Sequence, residues 1–288
     1  MKHEITELNK DSWPERLLEI PEPPKKLWIR GTMPGENHTF LSVVGSRKYT
    51  NYGKQVCEDL ISGLSAYPIV IVSGLALGID SIAHQAALDT GLKTIAIPGS
   101  GLSDTVLYPR MNLNLGRRIL EAGGAMISEY EETRRAAPWM FPERNRIIVG
   151  ISHAVLIIEA EQKSGTLITS RLATEYNRDV LTIPGSIFSP SSNGPHMLIK
   201  LGATPITSSK DLIEALGFDG SERQSLSLPS NLSAPETTLL NLLKEPKTKD
   251  QLILESNLPI TKINEILTLL EIKSLITESA GYIYRKHS

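Results

Sequence analysis

Along the first three quarters of the chain, short continuous apolar runs rich in β-branched residues recur: Leu41 to Val44, Ile69 to Val72, Thr94 to Ile97, Ala125 to Ile127, Ala154 to Ile158 and Val180 to Ile183. Runs without polar alternation predict strands buried on both faces, as in parallel sheets. Between them, Tyr52 to Leu64, Ser81 to Leu88, Leu113 to Leu120, Leu167 to Tyr176 and Leu212 to Leu216 carry apolar residues at helical spacing. Strand and helix in alternation predict an α/β fold, a doubly wound, mostly parallel sheet with helices on both faces.

Each run gives way at once to small or polar residues: Gly45-Ser46-Arg47, Ser73-Gly74, Pro98-Gly99, Ser128-Glu129, Glu159 and Pro184-Gly185. In an open parallel sheet these loops share the carboxyl edge, where ligands bind. Upstream, residues 1–36 form a proline-punctuated arm with Trp13-Pro14 and Pro21-Glu22-Pro23-Pro24, expected to pack over the sheet edge. The sheet domain is expected over 37–216. A linker is expected over 217–234, with Gly217, Gly220 and a serine-rich stretch. Residues 235–288 read as three short helices and a hairpin, which predicts a small winged-helix domain.

Composition narrows the chemistry. With 288 residues, 40% hydrophobic, the chain suffices for one large core and a small accessory domain. A net charge of −2 gives no global attraction to a polyanion, so phosphate binding must rest on a local patch formed by folding. The single Cys57 rules out a disulfide framework or a cysteine-based zinc site and fits a reducing compartment. No signal-peptide pattern or membrane-length apolar run is present, so a cytoplasmic location without membrane attachment is expected. No metal or cofactor is expected. The terminal domain is balanced, with seven basic residues, Lys244, Lys247, Lys249, Lys262, Lys273, Arg285 and Lys286, against seven acidic ones. That balance favours a protein-contact or regulatory role over major-groove readout.

Three segments carry candidate anion chemistry. In Gly45-Ser46-Arg47-Lys48 a glycine permits close backbone approach, the serine and free amides can bind phosphate, and arginine adds a forked charge; a tight turn with Arg47 in a surface ion pair is the alternative. Lys163-Ser164-Gly165-Thr166 opens a helix, where exposed amides and the dipole favour negative charge; a capped turn with a solvated Lys163 is its alternative. Arg144-Asn145-Arg146 sets two guanidinium groups and an amide at a helix start. Here the alternative is pairing with Glu129, Glu131 or Glu159. After the second strand, Gly74 and Gly78 permit a close turn, and Asp80 is expected to cap the next helix. His84 is assigned no chemistry.

The same segments, with Tyr108-Pro109-x-x-Asn112, Ser128-Glu129-Tyr130, Phe141-Pro142-x-Arg144-Asn145-Arg146-Ile147-Ile148 and Pro184-Gly185-Ser186, occur in the order and spacing of the DNA processing protein A family, also called Smf. The chain resembles that family from Trp13 to Arg285. The resemblance implies an extended Rossmann-like domain that binds single-stranded DNA, forms a homodimer and delivers the RecA recombinase onto incoming strands in natural transformation. It implies a binding protein and not an enzyme. Arg47 would contact DNA, as would the glycine loop at Lys163, Ser164 and Gly165. The expected phosphate track combines these with Gly45, Ser46, Lys48, Gly74, Thr166 and the Arg144, Asn145 and Arg146 cluster. Stacking is expected to be sparse, with aromatic residues at 5%. Thr133-Arg134-Arg135-Ala136-Ala137 departs from the proline and glycine usual in relatives. The additional amino-terminal helical domain of many relatives is not expected in the short segment before Trp13.

Two rivals share the fold. A nucleotide phosphoribohydrolase would need a Pro-Gly-Gly-x-Gly-Thr-x-x-Glu loop, and Pro98-Gly99-Ser100-Gly101 and Pro184-Gly185-Ser186 lack its Thr-x-x-Glu. A small-nucleotide sensor with the winged helix as its output is the second. The Walker pattern is absent, which disfavours triphosphate hydrolysis.

Overall fold

The apolar runs fold into the middle of a nine-stranded sheet. The computed structural model describes residues 3–35, 37–161, 164–219, 233–243, 247–256, 258–273, 275–279 and 281–285. They fall in two compact units, 1–219 and 220–288. The strands of the first are β1 (Ile5–Glu7), β2 (Trp28–Gly31), β3 (Thr39–Val44), β4 (Ile69–Ser73), β5 (Lys93–Ala96), β6 (Ala125–Ser128), β7 (Ala154–Ile157), β8 (Asp179–Thr182) and β9 (Thr204–Pro205). Their spatial order is β1-β2-β6-β5-β4-β3-β7-β8-β9. From β6 to β9 all pairs are parallel, and β1 and β2 add an antiparallel edge through β6. The fold is α/β, Rossmann-like.

The period of two along each strand divides the core between two faces. Phe40 and Val44 of β3, Val70 and Val72 of β4, and Val155 and Ile157 of β7 share one cluster. Their alternates Leu41, Val43, Ile69, Ile71, Ala154 and Leu156 share the other. Each face is roofed by helices that supply matching apolar stripes. Helices α2 (Asn51–Ser62) and α3 (Ile79–Asp89) bury Cys57, Leu60, Ile61, Ile82 and Ala83 against the second cluster, with Leu212 and Ile213 of α8 (Ser209–Ala215). Helix α5 (Met140–Gly150) buries Ile147, Ile148 and Val149 against the first. The roof is completed by α4 (Leu113–Glu121), α6 (Gly165–Glu175) and α7 (Asn193–Lys200). Cys57 is fully buried, and burial pushes its thiol up, assisted by Glu58 and Asp80. It is a core residue.

The arm is bound more closely than a cover over the edge. Its two short strands extend the sheet itself, and Trp13, Leu17 of α1 (Glu15–Leu18) and Ile20 enter the first core cluster. Arg178, just ahead of β8, fastens it by donating to the Arg16 carbonyl at 2.7 Å and to Glu19 at 3.3 Å.

The second unit runs α9 (Ala234–Leu242), β10 (Lys247–Thr248), α10 (Lys249–Ser256), α11 (Ile260–Ile272), β11 (Ile276–Ser279) and β12 (Tyr282–Arg285). Its strands form an antiparallel sheet in the order β10-β12-β11 over a core of Leu239, Leu243, Leu252, Ile263, Ile266, Leu270 and Ile283. Most of the linker expected at 217–234, and Lys244, Glu245, Ala280 and Lys286, lie outside the described residues.

A candidate nucleic-acid interface at the topological switch point

Strand order reverses at β3, which has β4 on one side and β7 on the other. The crossovers from these strands leave in opposite directions, opening a crevice past the paired ends Val44 and Ile157. A cavity of about 750 Å³ lies there. Gly45, Ser46, Arg47 and Lys48 line it from the loop after β3, Arg144 and Asn145 from α5, and Ser164, Gly165 and Thr166 from the start of α6. Three distant sequence segments thus share one site. Lys163 lies outside the described residues.

The loop after β3 is stiff before any ligand arrives. The Ser46 hydroxyl donates to the Lys48 carbonyl at 2.9 Å and accepts the Lys48 N–H at 3.0 Å, a local turn. The Ser46 carbonyl accepts the N–H of Ile79 at 3.2 Å. Gly78 makes that approach possible: its φ of +90° suits glycine, and a Cβ there would run into the Ser46 carbonyl. Ser46 is therefore occupied as a builder of the loop. Gly45 has a packing reason as well, since a Cβ would stand 2.7 Å from Ile79. The loop ends in exposed Arg47 and Lys48, which form no direct ion pair among the described residues, although the field of Arg47 reaches Asp80. The Arg47 guanidinium sits 5.6 Å from the centroid of the Phe141 ring, a cation–π arrangement that also orients it.

Arg144 behaves differently from the expectation of a phosphate contact. It is 5% exposed, and one of its terminal nitrogens donates to the carbonyls of Gly74 and Ile97 at the ends of β4 and β5. Burial pushes its guanidinium down to about 10 against the pull of nearby Asp80. Gly74 is part of the same device and not an anion seat: a Cβ on it would occupy the space of the guanidinium. Asp80 accepts the Gly74 N–H at 3.1 Å, so it braces the loop after β4 instead of capping α3, whose cap position is Gly78. Burial raises the Asp80 pKa, with Arg144 and the loop amides opposing that shift. Asn112 donates to the carbonyls of Leu75 at 2.8 Å and Ala76 at 3.1 Å, fixing the other side of the loop. His84 is fully buried against Thr94 at 2.7 Å, and burial lowers its pKa to about 3, so it stays neutral.

Arg146 does not join the crevice. It lies in a separate depression with Lys25, Lys26 and Glu131, ion-paired to Glu129 and donating to the Glu22 carbonyl at 2.8 Å. Glu159, the other carboxylate expected to hold an arginine, ties elements together. It accepts from the Thr50 N–H at 2.9 Å, the Thr50 hydroxyl at 2.6 Å and Ser191 at 3.0 Å, joining the end of β7 to the start of α2.

At α6, Ser164 caps the helix by accepting the Thr166 N–H at 3.1 Å. Gly165 next to it has open space beyond its Cα. The helix start thus faces the crevice opposite Arg47, with an anion-favouring dipole. Glu161 also lines the crevice and opposes that field. Asn145, half-buried, faces in without a side-chain hydrogen bond among the described residues.

Sequence reasoning missed the aromatic part. Phe141 lines the crevice beneath Arg47, and Tyr108 packs on it at 5.5 Å between centroids while staying 48% exposed. A signal for them existed, because Phe141-Pro142 and Tyr108-Pro109 both belong to the ordered family motifs. The average of 5% aromatics concealed their gathering at one edge.

The chain is thus an α/β protein of Rossmann-like fold with cationic and aromatic side chains gathered over its switch point. Similarity is more specific. The sequence profile of the DNA recombination-mediator protein A family matches residues 4–217, and the chain belongs to that family. It is 41% identical over 208 residues to DNA processing protein DprA of Streptococcus pneumoniae, covering 72% of each chain. It is 38% identical over 216 residues to Protein Smf of Escherichia coli, where the match covers 75% of this chain but 57% of that one. The X-ray structure of S. pneumoniae DprA superposes with a TM-score of 0.68 at 40% identity, covering 74% of both chains. A structure of Helicobacter pylori DNA processing protein A, a protein with a unique single-stranded DNA binding mode, superposes with a TM-score of 0.65 at 30% identity, covering 75% of this chain and 98% of that one.

Proposed function

We propose that this chain binds single-stranded DNA along the carboxyl edge of its sheet and acts as a recombination mediator. The observation that carries the reading is the exposed Arg47, free of any direct ion pair among the described residues and held over Phe141, with Lys48 beside it and the start of α6 lining the same crevice. Phosphates would meet Arg47, Lys48 and the amides at Gly165, and a base could stack on the Phe141 and Tyr108 rings. Duplex bases are already stacked within the helix and offer no free face to such rings. The H. pylori relative's single-stranded DNA binding mode supports the same choice. The chain is read as a binding protein with no catalytic residue.

From the family resemblance we extend the proposal to a homodimer with RecA as protein partner in natural transformation. Among the described residues no helix is long and apolar enough to cross a membrane. The helices and three-stranded antiparallel sheet of the second unit support a winged helix. Lys262 pairs with Glu265 on α11 at 2.9 Å, which favours protein contact over duplex readout there.

Fluorescence anisotropy with labelled oligothymidylate, competed by duplex or by nucleoside monophosphates, tests the reading. The single strand should win both competitions, and Arg47→Ala should weaken its binding and flatten its salt dependence. Monophosphates competing as well as the oligonucleotide would favour the small-nucleotide sensor and remove the DNA reading.

A further inference from the structure

Between Pro138 and Phe141, which both line the crevice, stands a side chain that does not: Trp139 is 49% exposed. What sets this indole apart from most of the chain's other exposed apolar side chains is that its surroundings hold it in a defined pose. Tyr130 meets its ring edge-on, with centroids 6.0 Å apart at 83°. The Arg134 guanidinium lies 6.0 Å from the ring centroid. Tyr130 is in turn fixed by donating its hydroxyl to Glu143 at 3.1 Å and its N–H to Ser128.

The loop beneath is braced over residues 131–134. The Gly101 N–H donates to the Arg134 carbonyl at 2.8 Å, the Ser103 N–H to the Glu132 carbonyl at 3.0 Å, and the Arg134 N–H to the Glu131 carbonyl at 2.9 Å. Gly101 allows that contact, since a Cβ would strike the carbonyls of Glu131 and Glu132. An indole with restrained orientation and an exposed surface loses little conformational entropy on accepting a planar ligand. Continuity with the crevice through Pro138 and Phe141 indicates what kind, and beside the indole Arg134 and Arg135 are exposed and form no ion pair among the described residues. Exposed Glu131 and Glu132 balance them in number, so the loop adds stacking surface without net charge.

We propose that Trp139, held by Tyr130 and Arg134, is a second base-stacking platform that carries a single strand out of the crevice and across the 130–139 loop. It makes the site selective for length: a short oligonucleotide fills the crevice alone, and a longer one also reaches the indole. The proposal rests on the single-strand reading of the crevice and adds a station to it.

The test is a ladder of oligothymidylates from roughly 4 to 24 nucleotides, bound to the full chain and to its Trp139→Ala and Trp139→Phe variants. Wild-type affinity should rise with length. Trp139→Ala should weaken the longer oligonucleotides roughly five- to a hundredfold while sparing the shortest, and Trp139→Phe should restore most of the loss. The slope of log affinity against log salt should be unchanged by Trp139→Ala, because a neutral ring releases no counterions. Indole quenching on binding should vanish in Trp139→Phe, since of the chain's three tryptophans Trp13 is buried and Trp28 lies half-buried in β2. Equal loss at every length would make Trp139 a support of the crevice and overturn the platform, as would no loss at any length. If no oligonucleotide binds wild type, the crevice reading itself fails. If short oligonucleotides bind through Arg47 and Trp139 is silent, only the platform fails.

Discussion

Arg47 and Arg144 stand at the same crevice and have opposite fates. Arg47 ends a loop that is braced from within by Ser46 and from below by Ile79, so its guanidinium remains in water above Phe141. Arg144 points from α5 into the sheet ends, where one terminal nitrogen donates to two backbone carbonyls and Asp80 offsets its charge, while its Nε is buried without a hydrogen-bond partner among the described residues. One residue type thus supplies the proposed ligand contact in one region and the frame for it in the other. The distinction is one of solvation: a guanidinium stripped of water must be compensated by fixed partners, and those partners then hold it away from a phosphate.

Arg144→Ala should break the comparison most severely. It removes the larger of the two positive charges acting on Asp80, leaving Arg47, and orphans the carbonyls of Gly74 and Ile97. Denaturant unfolding should show a loss of about 3–5 kcal/mol. A loss below about 1 kcal/mol would show that water can replace the guanidinium.

Arg47→Ala should do the reverse. Unfolding should be almost untouched, while single-strand affinity at low salt falls roughly ten- to a hundredfold and the salt slope shrinks by about 0.7. An unchanged slope would mean that Arg47 meets no phosphate.

Gly74→Ala sharpens the account of Arg144 by pressing a methyl group against its guanidinium. A cost of about 1–3 kcal/mol is expected by urea unfolding. In an Arg144→Ala background that cost should largely disappear, because the methyl then has room; additive losses would place the strain elsewhere.

Asp59 on α2 provides the smallest test, as a partly buried carboxylate with no ion-pair partner among the described residues. Burial, with help from Glu58, pushes its pKa up to about 6. The unfolded value is about 3.9. The folded state therefore holds the proton more tightly, and the stability from this group is full below the unfolded pKa and lost as pH rises through about 6. Asp59→Asn should raise the melting temperature at neutral pH and change it little near pH 4. Equal effects at both would exclude ionisation as the cause.

Much of the frame was legible. The run Leu41 to Val44 lies within β3, and Ile69 to Val72 within β4, because strands buried on both faces leave continuous apolar signatures. The edge strands were not legible: Trp28-Ile29-Arg30-Gly31 has no such run, and its partner β6 lies nearly a hundred residues further along the chain. The switch-point loops were readable as a set, since each comes directly after a strand. Arg146 takes the alternative that the sequence left open, pairing with Glu129, because nearby positions on a helix point in different directions and the sequence could not say which arginine would meet that carboxylate.

By itself the sequence determined the succession of the central strands and the helices between them, the two-faced core and the glycine-marked loops at the carboxyl edge, all of which are local properties of period and backbone freedom. Only the tertiary structure decided which arginine stays in water. That choice depends on carbonyls and carboxylates supplied from β4, β5 and β6, and the cost of burying charge is set by such distant partners and not by neighbours in the chain.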